Sequence, residues 1–115
     1  MTLTQPSESE EWLDELVQRW TEVYKKSMTT LVLLEVVEAR GPIAAGLIGS
    51  ALVESTGWGL TERGLYRTLR RLTAAGLLTA SEVAVPRTGA KRKDYELTPL
   101  GARYLARIRG ELLDR

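Results

Sequence analysis

Between Gly76 and Thr98 the apolar residues leave the three-and-four spacing of a helix for rough alternation, and at Thr98-Pro99 they return to it. Leu77–Val85, rich in β-branched residues, predicts a strand. Pro86–Lys91 predicts a turn with Gly89 at its tip, and Arg92–Leu97 a returning strand with Tyr95 and Leu97 on one face. One hairpin in a chain otherwise written in helical periods confines it to a mainly helical domain that carries a β-hairpin. At 115 residues there is room for one core and not for two ordinary domains.

The helices follow from periodicity and caps. Residues 1–6 lack apolar periodicity and read as a disordered tail. Ser7 and Glu10 form a capping-box pattern, and a helix is predicted over about Ser9–Met28, with Leu13, Val17, Trp20 and Tyr24 at helical spacing. Thr29-Thr30 offers a fresh cap, so a second, buried helix is predicted over Leu31–Ala39, ended by Gly41-Pro42. Ala44–Ser55 predicts a third, with Leu47, Ile48, Ala51 and Leu52 inward; Gly46 and Gly49 weaken it and permit close packing. Thr61 caps a fourth, Glu62–Ala75, closed by Gly76, whose inward stripe is Leu65, Leu69 and Leu72. Trp58, between two glycines, is expected in the core or closing over the start of that helix. Thr98 and Pro99 start a last helix, with Leu100, Tyr104, Ile108 and Leu112 along one face. Helices, then a hairpin, then a helix is the order of a winged helix-turn-helix (α+β, mainly α) with extra terminal helices. The expected parts are a tail (1–6), an N-terminal dimerisation helix (7–28), the winged helix-turn-helix domain (29–97) and a C-terminal helix (98–115).

Composition narrows the chemistry. With no Cys and no His, a disulfide framework, a thiol nucleophile and the usual zinc sets are excluded, and no cofactor is implied. The carboxylates are scattered, no glycine-rich phosphate loop follows a strand, and no nucleophile–base pair is present, so an enzyme is not expected. No apolar run is long enough to cross a membrane and no leader pattern opens the chain, which makes a cytoplasmic protein the expectation. Twelve Arg against four Lys, with much Ala, Gly and Leu, suits a bacterial source of high GC content.

The net charge of +1 conceals a division. Residues 1–57 carry 9 acids and 4 bases, and residues 58–115 carry 12 bases and 6 acids, balances of −5 and +6. Such asymmetry points to a polyanionic partner for the second half. The fourth predicted helix turns Arg63, Arg67 and Arg70 outward on one strip, with Arg71 at its edge and Thr61 at its cap. Arginines so placed suit guanine edges or phosphates in a major groove. Tyr66 either meets the DNA backbone or completes the core. The hairpin adds Arg87, Lys91, Arg92 and Lys93, opposed only by Asp94. Two basic elements on one predicted surface make double-stranded DNA the expected partner.

Arg40-Gly41-Pro42-Ile43, Gly64-Leu65-Tyr66-Arg67-Thr68-Leu69-Arg70-Arg71-Leu72, Ala75-Gly76-Leu77-Leu78 and Lys93-Asp94-Tyr95-Glu96-Leu97-Thr98-Pro99-Leu100-Gly101 together resemble the PadR family of bacterial transcriptional regulators, over about residues 31–109. The resemblance implies a homodimeric repressor, often released from its operator by a small molecule. It places Tyr66 on the family's tyrosine at the start of the recognition helix, and Arg70 and Arg71 on its basic pair. The chain departs from the family at Ala44-Ala45-Gly46, where His-Gly-Tyr is usual, and at Glu62-Arg63-Gly64, where Pro-Gly-Thr is usual.

The first helix carries more apolar surface than one small core needs. Trp12, Leu13, Leu16, Val17, Trp20 and Tyr24 are therefore assigned to a dimer interface, together with Tyr104, Ile108 and Leu112 of the last helix. Exchange of first helices between subunits fits this. Trp12 and Trp20 serve either as glue or as stacking partners for a small apolar or aromatic effector. The expected function is a homodimeric regulator on a palindromic operator. The alternative is an interaction or ligand-sequestering module that keeps the scaffold without specific operator binding.

Overall fold

The computed structural model describes residues 7–113, with side chains as far as Glu111. The expected tail at 1–6 and the side chain of Leu112 lie outside that range.

Helix α1 (Glu8–Arg40) is one rod of 33 residues. Ser7 caps it, accepting from the Glu10 amide at 3.2 Å, and Glu8, Glu10 and Glu11 sit in the positively polarised first turn. The break predicted at Thr29-Thr30 does not occur. Thr30 Oγ1 donates to the Lys26 carbonyl at 3.2 Å, a bond made inside the helix, and Thr29 Oγ1 accepts from the indole of Trp58. Both residues hold helical backbone, whereas a cap residue needs an extended one, so the two predicted helices are one. The rod ends where Gly41 N–H bonds the Val37 carbonyl and Pro42, with no N–H, cannot continue.

Burial divides α1. From Thr29 onward it supplies Leu31, Leu33, Leu34, Val36 and Val37 to the core. Its first twenty residues project, which makes the molecule 65 Å long.

Helix α2 (Ala45–Thr56) packs Ile48, Ala51 and Leu52 against α1. Leu47 was expected inward and is 55% exposed, because it stands on the flank of the arc shared by Ala45, Ile48 and Leu52. At Gly49 an added Cβ would lie 3.2 Å from Leu65 Cδ2, so this glycine does allow α2 and α3 to approach; Gly46 has open space instead. Helix α3 (Glu62–Ala74) buries Leu65, Leu69 and Leu72, as its spacing predicts. Gly76, at φ 80°, turns the chain into the hairpin.

The hairpin strands are β2 (Leu78–Ala84) and β3 (Lys91–Leu97), antiparallel from Leu78 opposite Leu97 to Ala84 opposite Lys91. A third strand, β1 (Ile43–Ala44), pairs Ile43 with Tyr95 and Ala44 with Asp94, giving the order β1-β3-β2. Two residues are too few for a periodic signal, so β1 is invisible in the sequence.

Thr98 starts helix α4 (Pro99–Ile108), its Oγ1 accepting from the Gly101 amide at 2.9 Å. Leu105 is fully buried and Ile108 packs against the core, while Leu100 and Tyr104 stay exposed. A π-helical turn, Arg109–Leu113, follows. In it Arg109 reaches back to Glu35 at 2.8 Å and Glu38 at 3.1 Å, fastening the end of the chain to α1.

Candidate nucleic-acid interface

Thr61 sets the start of α3, its Oγ1 accepting from the Gly64 amide at 3.0 Å. Its hydroxyl oxygen is thus engaged as a cap, which fixes where the helix begins and therefore where its outer face points. With Leu65, Leu69 and Leu72 buried, Arg63, Arg67 and Arg70 emerge as one exposed strip. None of the three is ion-paired among the described residues.

Tyr66 lies beside this strip and is 43% exposed, so it is not a core residue. It and Arg70 form one wall of a groove of about 510 Å³. Lys91, Arg92 and Lys93 of β3 form the other wall. Two of the recognition-helix candidates, Tyr66 and Arg70, thus share one concave surface with Lys91, Arg92 and Lys93 of the wing, while Thr61, Arg63, Arg67, Arg71 and Arg87 do not line it.

Two wing cations are partly balanced. Arg92 Nε bonds Asp94 Oδ1 at 3.1 Å, and Lys91 Nζ lies 3.7 Å from Glu82 Oε2. Asp94 is nearly buried, so it holds the Arg92 guanidinium in place more firmly than an exposed partner would. Arg87 stands in the hairpin tip at φ 77°, where the Val85 amide bonds the Ala90 carbonyl at 2.7 Å.

Two contributors to the groove are not evident from the sequence. The first turn of α2 enters it through Ala44, Ala45 and Gly46, and no side chain caps that turn. The only sequence signal is the lack of a capping residue at Ala44. Tyr95 forms the floor, 4% exposed. Burial raises its phenol pKa, the neighbouring Tyr66 raises it further, and Arg70 works against both.

The residues assigned to a dimer interface lie elsewhere. Trp12, Leu13, Leu16, Val17, Trp20 and Tyr24 are all exposed along the projecting half of α1, Trp20 at 68%. Trp20 and Tyr24 stack with centroids 5.4 Å apart, and Arg19 lies 5.3 Å from the Trp12 ring. Among the described residues, Trp12 and Trp20 border none of the five main hollows. Tyr104 and Ile108 do border one, an apolar hollow of about 590 Å³ between α1, α3 and α4 that also includes Met28, Leu31 and Leu72. Among the described residues no helix is long and apolar enough to cross a membrane, and no cluster of acidic side chains suits a metal ion.

This architecture recurs in solved structures. A PadR-like transcription factor from Bacteroides fragilis is 23% identical, with a TM-score of 0.69 over 84% of this chain and 90% of that one. A PadR family transcriptional regulator from Eggerthella lenta is 22% identical, with a TM-score of 0.66 over 89% and 86%. One from Clostridium difficile is 22% identical, with a TM-score of 0.62 over 72% and 84%. At such identities these likenesses establish the fold. No curated protein matches the sequence significantly. The model of the PadR-like transcriptional regulators matches residues 33–107, from the buried half of α1 to the end of α4. The winged helix-turn-helix seen here and that match agree, and the chain belongs to the PadR-like family of transcriptional regulators.

Proposed function

We propose that this regulator is a homodimeric repressor that reads a palindromic operator in the cytoplasm, with α3 in the major groove and the hairpin along the adjoining backbone. The observation that carries this reading is the shared groove, in which Tyr66 and Arg70 of α3 face Lys91, Arg92 and Lys93 of the wing. Arg63, Arg67 and Arg70 supply forked donors for base edges or phosphates, and Lys93 a point charge for the backbone. A single winged helix covers one half-site, so a two-fold dimer reads two.

The exposed stripe from Trp12 to Tyr24 supports the dimer. A contiguous apolar face on a projecting helix is costly in water and is removed by pairing with a second copy. The effector in this reading is a small apolar or aromatic molecule held where two copies bring Trp12 and Trp20 together.

Selection of bound sequences from random duplex DNA, followed by fluorescence anisotropy on the winner, tests the proposal. The expected result is a palindromic consensus bound about 10³-fold or more tighter than a scrambled duplex at physiological salt. Equal, weak binding to every duplex would sink it.

A further inference from the structure

The flank of α3 that faces away from the wing also borders a cleft. It measures about 480 Å³ and brings Lys25 and Lys26 of α1 against Arg67 and Arg71 of α3, over the indole of Trp58. No acid lines it, and among the described residues none of the four cations is ion-paired. Like charges gathered in a concave site concentrate their field and favour an anion there.

The cleft is built rather than accidental. Trp58 is half-buried and pinned by its Nε1 bond to Thr29 Oγ1 at 2.9 Å. Lys25 Nζ then lies 5.7 Å from the centre of the ring, which holds the ammonium at the mouth of the cleft. Because Lys25 occupies the ring face, a compact oxyanion suits the site better than a flat molecule stacked on the indole. The threonine hydroxyls nearby are already committed, Thr30 to the Lys26 carbonyl and Thr68 to the Gly64 carbonyl. The cations are what remains unsatisfied.

Position identifies the oxyanion. Tyr66 and Arg70 open toward the wing groove, while Arg67 and Arg71, each one residue further on, open toward this cleft. One residue is about 100° of helix, so the two sites bracket α3. A helix in a major groove has a sugar–phosphate wall on either side of it. We propose that this cleft is a phosphate site, in which Lys25, Lys26 and Arg71 hold backbone phosphates on the wall opposite the one met by the wing. The proposal rests on α3 being the recognition helix.

The test uses the full chain and a duplex selected for it. Anisotropy across a salt series gives the slope of log K against log salt, about 0.9 per phosphate neutralised. In the K25Q/K26Q variant the slope should fall by about 3.6, from two lysines in each of two subunits, weakening all sequences alike, and in K26Q, which leaves the Lys25–Trp58 contact alone, by about 1.8. Arg103→Gln, a change of equal charge on α4, should leave the slope as it is. Hydroxyl-radical footprints of the double variant should lose protection at one edge of each half-site. An unchanged slope in both lysine variants overturns the assignment. Saturable binding of inorganic phosphate or AMP, measured by calorimetry and lost in the double variant while the duplex slope stays put, also overturns it and moves the phosphate to a free ester. A wild-type chain that prefers no duplex is a different failure: it removes the recognition-helix reading, and this proposal with it.

Discussion

The indole Nε1 of Trp58 donates to Oγ1 of Thr29 at 2.9 Å, joining the turn before α3 to the middle of α1. Thr29 is 5% exposed and sits where the projecting half of α1 gives way to the half that builds the core. Thr29→Val keeps the shape and removes the acceptor, leaving a half-buried N–H without its partner. The expected loss is about 1–2 kcal/mol in urea denaturation followed by circular dichroism. Adding Trp58→Phe should then cost less than it does in the wild type, because the two residues share one bond. An unchanged denaturation midpoint for Thr29→Val would show that water replaces the bond at no cost.

Gly101 carries the packing of α4 on the hairpin. A Cβ there would collide with the backbone carbonyl of Leu77 and come within 2.8 Å of Leu97 Cδ1. Backbone cannot step aside as a side-chain tip can. Gly101→Ala, normally favourable in a helix, should therefore destabilise by about 2 kcal/mol or more. Gly46→Ala is the control: its Cβ meets nothing within 4 Å and its helix position gains propensity. Thermal melts of the two variants should move in opposite directions.

These two sites show what the sequence makes legible. Thr98 and Pro99 are local signals, a cap and an N1 residue, and they place the start of α4 correctly. The leucine stripe of α3 and the alternation in the wing are local as well. Thr29-Thr30 is a local signal that misleads. A threonine caps a helix only where its backbone leaves the helical region, and the partner that Thr29 meets from inside the unbroken rod, Trp58, lies 29 residues away. Strand β1 exists only because β3 offers Ile43 and Ala44 an open edge. The candidate site divides in the same way. Arg63, Arg67 and Arg70 can be read from one helix, whereas the flank of α3 that each faces depends on how α1 and the wing pack around it. Lys25 and Lys26, in the acidic half of the chain, carry no local signal, because only the passage of α1 beside α3 makes them part of a site.

The projecting half of α1 should fail as a monomer. Leu16→Glu or Trp20→Glu places a charge within a stripe that includes Trp12, Leu13 and Val17. Sedimentation velocity is expected to show a dimer for the wild type and a monomer for either variant. Operator affinity should fall with it, since each half-site is then bound alone. Because residues 8–27 contribute nothing to the buried core, the melting of the winged domain should change little in a monomeric variant. A wild-type chain that sediments as a monomer would refute the dimer.

Tyr95 gives the fold a pH dependence on the alkaline side. Its phenol is held above the ordinary value of 10.0, chiefly by burial, with Tyr66 adding to the shift and Arg70 opposing it. The folded chain therefore keeps this proton when the unfolded chain has lost it. The associated stability is complete below pH 10.0 and declines as pH rises from there through the higher folded value. Tyr95→Phe cannot ionise, so this share of the alkaline loss should disappear. Denaturant midpoints on either side of pH 10.0 should fall less steeply for the variant than for the wild type. Equal slopes would mean that the phenol ionises alike in both states.

Arg70 and Lys93 face each other across the wing groove but should differ in what they read. Arg70 stands on the outer strip of α3, and its guanidinium presents two parallel donors suited to a guanine edge. Lys93 is a single charge on β3, suited to a phosphate from whatever sequence lies beside it. Arg70→Ala is expected to cost about 1–3 kcal/mol on the selected operator and to relax the preference at one base pair of each half-site. Lys93→Ala should weaken selected and scrambled duplexes by similar factors and lower the salt slope by about 1.8, one phosphate in each half-site. Anisotropy on a panel of single-base operator variants separates the two outcomes. If Arg70→Ala weakens every member of the panel equally, Arg70 is a backbone contact, and base reading falls to Arg63 and Arg67 on the same strip.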